Sequence, residues 1–253
     1  MIRRQIAVFA ILLASSLAAV AQKYHVTKVE RQRIAIDNRY AADKEAEGML
    51  APYKMKVDSV MSPLVGRSAR YMKSHAPESE LSNLLADIMV WAGTKYGETP
   101  DVGIYNMGGI RAALPEGDVT FGDVTDIAPF ENKICFMTLT GAQLKILFQQ
   151  MTQRGAGVSK GIEARYSADR KLVSLSLNGE AVADDRNYRL ATIDYLIQGN
   201  DGFMELRNAT ELVSPNDNES NTRYLIAEFF REHMRRGEMV DAHIEGRVVI
   251  AEQ

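Results

Sequence analysis

The sequence predicts a mixed α/β fold: a single domain in which a mixed sheet is flanked by helices. Two observations predict elements of both kinds. Apolar residues recur at helical spacing near residues 40–61, 78–96 and 141–151, and short apolar or alternating runs bounded by turn residues appear between and after them. A third observation concerns order. Helices and strands mix without strict alternation, and neither an internal repeat nor a linker divides the chain beyond residue 21.

Over residues 40–61 the apolar positions Ala46, Met49, Leu50, Tyr53, Val57, Val60 and Met61 share one helical face, with Asp37 or Asn38 as the expected cap. Pro52 falls inside this run and is expected to bend or break it. A second helix, about 78–96, buries Leu81, Leu84, Leu85, Ile88, Met89 and Ala92 and stops at Gly97 and Pro100. Residues 102–105 read as a buried strand, followed by a turn or helix near Phe121–Ile127 and an alternating strand at 133–138. Thr140-Gly-Ala-Gln143 has the form of a capping box, and the helix it starts buries Leu144, Leu147, Phe148 and Met151. Strands follow at Ile162–Tyr166, Leu172–Leu177 and 188–192, and Asn178-Gly179 marks a type I′ hairpin because both central residues need positive φ. After a polar loop at 214–221, Leu225, Ile226, Phe229 and Phe230 line one side of a helix, and Val248–Ile250 forms a last strand.

With 253 residues, 46% of them apolar, the chain is long enough to bury a real core. Its net charge of −3, from 30 basic and 33 acidic residues without a long basic block, argues against a nucleic-acid polymer as partner. Residues 1–21 read as a signal peptide: Arg3 and Arg4 precede an apolar run, and Ala19-Val20-Ala21 offers a small-residue cleavage site. That run is shorter than the ~20 residues of a membrane span. The expected product is an exported, periplasmic or extracellular protein of residues 22–253, with no stable membrane span after cleavage. Cys135 stands alone inside an apolar strand, where a cysteine acts as a small core residue.

The stretch Val102-Gly-Ile-Tyr-Asn-Met-Gly-Gly-Ile-Arg111 joins a core strand to a polar loop. Gly108 and Gly109 permit unusual backbone angles and close approach of a ligand. Asn106 both donates and accepts, and Arg111 carries a permanent charge in a fork shaped for phosphate or carboxylate. Together with Gly117-Asp-Val-Thr-Phe-Gly-Asp-Val, Ala128-Pro-Phe130-Glu-Asn132, Leu139-Thr-Gly141 and Gly199-Asn-Asp201-Gly-Phe203, this stretch resembles the C-terminal, substrate-binding domain of the 5'-nucleotidase family. The likeness covers roughly residues 24–250. The spacing of Glu78, Asn83 and Asp87 resembles a further family segment, with Ser82 in place of a glycine.

The resemblance implies a nucleotide or nucleoside as ligand. Phe130 and Tyr195 would hold the base between two rings, Asp201 the ribose hydroxyls, Asn106 the base and Arg111 the phosphate. The family's second phosphate arginine should lie just upstream of Glu78, where His75 stands as a possible phosphate contact. The family's catalytic half supplies paired metal ions. Here His25, His75, His233 and His243 are scattered singly, and no nucleophile elbow or phosphate loop is present. The expectation is therefore no catalytic residue, metal ligand or cofactor in this chain, with divalent metals only in a separate metallophosphoesterase partner. A non-catalytic nucleoside- or nucleotide-binding protein is the alternative.

Overall fold

A computed structural model describes residues 25–252. The expected signal peptide lies outside them. The chain divides into two compact units at residues 49 and 50. The described part of the first, residues 25–49, contains a turn in which the Tyr40 amide donates to the Asp37 carbonyl (3.1 Å). Helix α1, Lys44–Met61, crosses the division. Asp43 rather than Asp37 or Asn38 caps it, accepting from the Glu45 and Ala46 amides, because the Asp37 carboxylate is engaged by Arg39. Pro52 does not end the helix, and none of the expected apolar face is buried.

The second unit holds three sheets rather than the one expected. A five-stranded sheet has the order β10 (Thr210–Val213), β4 (Ile134–Thr140), β9 (Asn187–Ile193), β2 (Val102–Asn106), β5 (Ala156–Val158). Only the β2–β9 pairing is parallel; the other neighbours run antiparallel. A four-stranded sheet has the order β11 (Val248–Ile250), β6 (Ile162–Tyr166), β7 (Leu172–Leu177), β8 (Glu180–Ala181), and β1 (Leu64–Ser68) pairs with β3 (Gly117–Thr120). The Asn178-Gly179 turn joins β7 to β8 with φ of 52° and 82°, as the dipeptide demands.

Helix α2, Glu80–Gly93, lies against the large sheet with all six expected apolar residues buried. It starts later than expected because Ser79 caps it through a box with Ser82, and residues 94–96 tighten into a 3-10 turn before Gly97. Backbone touches backbone where the helix crosses β2 and β5. A Cβ on Gly103 would stand 2.2 Å from the Ala86 carbonyl oxygen, and one on Gly157 2.0 Å from that of Ser82.

Helix α3, Phe121–Ile127, is capped by Thr120 and Asp123, and helix α4, Gly141–Met151, by the expected Thr140–Gln143 box. A four-residue turn of helix, α5 (Asp194–Ile197), follows β9, and α6, Thr222–Arg235, packs Leu225, Ile226 and Phe230 inward. Cys135 is fully buried, and burial pushes its thiol up to about 11.

Candidate functional site

The topology brings four chain segments to one end of the large sheet. Strands β2 and β9 are parallel neighbours, so Asn106 at the end of one and Tyr195 just past the end of the other emerge side by side. Antiparallel β4 starts where β9 ends, Ile134 opposite Ile193, which brings Phe130 and Asn132 to the same place. Antiparallel β5 starts opposite Asn106, with Arg154 two residues earlier. A crevice at the carboxyl ends of adjacent parallel strands is where α/β sheets present ligand sites.

A cleft of about 350 Å³ opens there, lined by Asn106, Gly108, Gly109, Arg111, Phe130, Asn132, Arg154, Tyr195 and Asp201. All seven residues expected to bind substrate therefore share one wall system. Phe130 is 46% and Tyr195 38% exposed, so both rings face the opening rather than the core. Neither packs on another aromatic ring among the described residues.

Asp201 is held at left-handed φ (57°). Its carboxylate accepts from Asn106 Nδ2 (2.6 Å) on one oxygen and from the Tyr195 hydroxyl (3.2 Å) on the other. Partial burial, then the adjacent Asp201 charge, pushes the Tyr195 phenol above its ordinary value, while Arg154 pulls it back. The phenol thus stays protonated and able to donate. Asn200 uses its side chain to bond the Tyr195 carbonyl (2.7 Å), tying the ring to the turn that carries Asp201.

Asn106 is 3% exposed, and its Oδ1 is buried without a hydrogen-bond partner. An orphaned buried acceptor is an unmade bond that costs the fold stability. Gly109 is needed for close approach and not for backbone angles, since neither it nor Gly108 has positive φ. A Cβ on Gly109 would stand 2.7 Å from Asn106 Oδ1. Elsewhere the rim is pinned from behind. The Arg111 amide donates to the Ile127 carbonyl (3.0 Å), the Asn132 carbonyl accepts from Thr222 (2.9 Å), and Arg223 holds the Pro129 carbonyl (2.8 Å).

His75 is exposed and is not among the residues lining this cleft, while its neighbours Ala76 and Pro77 line the adjoining cavity that Arg154 also borders. Arg154 and Asn132 line the cleft and were not among the expected binders. Asn132 lies two residues beyond Phe130 in the Ala128–Asn132 motif, and no local pattern marks Arg154. Glu78, Asn83 and Asp87 lie elsewhere, in a buried staple to the C-terminal segment. Glu78 accepts from Asn83 Nδ2 (2.7 Å) and the Glu245 amide (2.9 Å), and Asp87 forms a two-pronged pair with Arg247 (2.9 and 2.8 Å).

Among the described residues no group of three or more His, Cys, Asp or Glu side chains is arranged to hold a metal ion. The described residues therefore do not fit a dinuclear centre. No described helix is long and apolar enough to cross a membrane.

Fold and cleft together define a mixed α/β domain with a polar cleft at one end of its large sheet. Residues 57–207, more than half of the chain, match the model of the 5'-nucleotidase, C-terminal domain, and the chain belongs to that family. Among curated relatives it is similar to the trifunctional nucleotide phosphoesterase protein YfkN of Bacillus subtilis: 29% identity over 236 residues, covering 85% of this chain and 16% of that protein. It is also similar to protein UshA of Escherichia coli, with 21% identity, 84% of this chain and 38% of that one. Among solved structures, the 5'-nucleotidase precursor from Thermus thermophilus shares the fold with a TM-score of 0.73 and 23% identity, over 83% of this chain and 44% of that one. This chain spans less than half the length of each of those relatives.

Proposed function

We propose that this chain is the nucleotide-binding half of an exported 5'-nucleotidase-type phosphohydrolase, in which a separate metallophosphoesterase chain supplies the metals and the catalysis. The observation that carries the reading is the cleft itself: two exposed rings, a carboxylate and Arg111, drawn from distant segments, line one cavity of about 350 Å³. Stacking on each ring contributes roughly 1–3 kcal/mol and tolerates any base. Asp201, oriented by Asn106 and Tyr195, accepts from the ribose hydroxyls. Arg111 meets the phosphate, a charge-assisted contact worth about 1.5–3 kcal/mol. Export is supported by the signal-like residues 1–21.

The test has two parts. Calorimetry should show AMP binding to the purified chain, weakened by Arg111→Ala. Phosphate release from AMP with divalent metal should be absent for the chain alone and appear when an exported metallophosphoesterase is added. Robust turnover by the chain alone would overturn the division of labour. AMP binding with no activity beside any such partner would favour a capture or sensing protein.

A further inference from the structure

Arg111 alone leaves the cleft electrically neutral. The charged lining consists of Arg111, Arg154 and Asp201, beside the neutral Tyr195 phenol. Arg111 and Asp201 cancel, so a phosphate finds a net positive site only because Arg154 is there. Arg154 is exposed and, among the described residues, makes no hydrogen bond and no ion pair. Other arginines near the large sheet are committed: Arg189 to Glu98 and Arg247 to Asp87 and Glu245.

The loop carrying Arg154 is anchored although the side chain is not. The Gly155 amide donates to the Met151 carbonyl (2.8 Å), and the Gly155 carbonyl accepts from the Met107 amide (3.4 Å) beside the glycine pair. Arg170 holds the Thr152 carbonyl (3.2 Å), and Ala156 starts the strand that pairs with Asn106. A fixed backbone presenting an unpaired guanidinium to a cleft is a preorganised anion contact. Arg154 also lines a second cavity of about 200 Å³ beyond the loop.

We propose that Arg154 is the second phosphate-binding cation of this cleft, taking the part that the family places upstream of Glu78, and that it selects nucleotides over nucleosides. This rests on the nucleotide reading above.

The experiment is calorimetry with AMP and adenosine on the full chain carrying Arg154→Gln or Arg154→Lys. Both changes fall on an exposed side chain, and thermal melts check that the fold is intact. Arg154→Gln should weaken AMP roughly ten- to a hundredfold, the size of one charge-assisted contact, and leave adenosine within about twofold. Arg154→Lys should recover part of the AMP loss, since it keeps the charge but not the fork. AMP binding that survives Arg154→Gln unchanged, or an equal loss for both ligands, overturns the assignment while leaving the nucleotide reading intact. Wild-type protein that binds neither ligand overturns both.

Discussion

Two of the polar networks among the described residues, the Asp87–Arg247 staple and the cleft, contrast in a way that separates arginines that hold the fold from arginines available to a ligand. In the staple, Arg247 is 4% exposed and spends its guanidinium on Asp87, Glu245 and the Val158 carbonyl. In the cleft, Arg111 has one long contact, to the Gly108 carbonyl at 3.4 Å, and Arg154 has none among the described residues. Each network leaves one buried acceptor orphaned, Asn83 Oδ1 in the staple and Asn106 Oδ1 in the cleft. Only the second borders a cavity large enough for a ligand. A network that satisfies its own charges stabilises the fold; one that leaves its cations open to a cleft is poised for binding.

The largest effect that can break this contrast is on stability. Asp87→Ala leaves the buried Arg247 guanidinium short of its best partner and should lower unfolding free energy by about 3 kcal/mol, read from a urea midpoint. AMP affinity of the folded protein should not change. If stability is unaffected, the staple does not stabilise the fold as described.

In the cleft the expectation reverses. Tyr195→Ala should cost about 2 kcal/mol of AMP affinity through the lost stacking face, with a melting temperature close to wild type because the residue sits at the surface, 38% exposed, and outside the core. Phe130→Ala should behave alike. A large drop in melting temperature with unchanged affinity would make both rings structural.

Gly109→Ala sharpens the contrast by touching both properties at once. Its Cβ would displace Asn106 from Asp201, so stability should fall by about 1 kcal/mol and AMP binding should weaken alongside.

The smallest effect is one of pH. Hydrogen bonds from Arg189 hold the Glu98 carboxyl below its ordinary range, outweighing partial burial. A depressed carboxyl contributes stability that is complete above its unfolded value, about 4.3, and is lost as pH falls through the lower folded value. Urea midpoints should therefore fall more between about pH 5 and 3 for the wild type than for Glu98→Gln. Equal falls would show that the pair adds nothing.

Much of this molecule is legible locally. The Thr140–Gln143 box, the Asn178-Gly179 turn, the inward faces of α2 and α4 and the burial of Cys135 all follow from residues a few positions apart, because caps, turns and helical faces are short-range geometry. Boundaries were less legible. Ser79 and Asp43 became caps where nearby polar residues were equally eligible, and β1, β3, β5 and β10 are interrupted by a glycine or a charged residue, so no apolar run marks them.

The site shows the same division. Motif by motif, the residue types of the sequence determined which side chains can stack, accept from a ribose or meet a phosphate, since that chemistry belongs to each side chain. Which of them meet was decided by tertiary structure. Strands β2, β9, β4 and β5 are far apart in sequence, and their pairing brings Asn106, Tyr195, Phe130 and Arg154 to one end while leaving His75 outside. The physical reason is that strand order and direction follow from burying the faces of the whole sheet, a long-range requirement that no local pattern around Arg154 records.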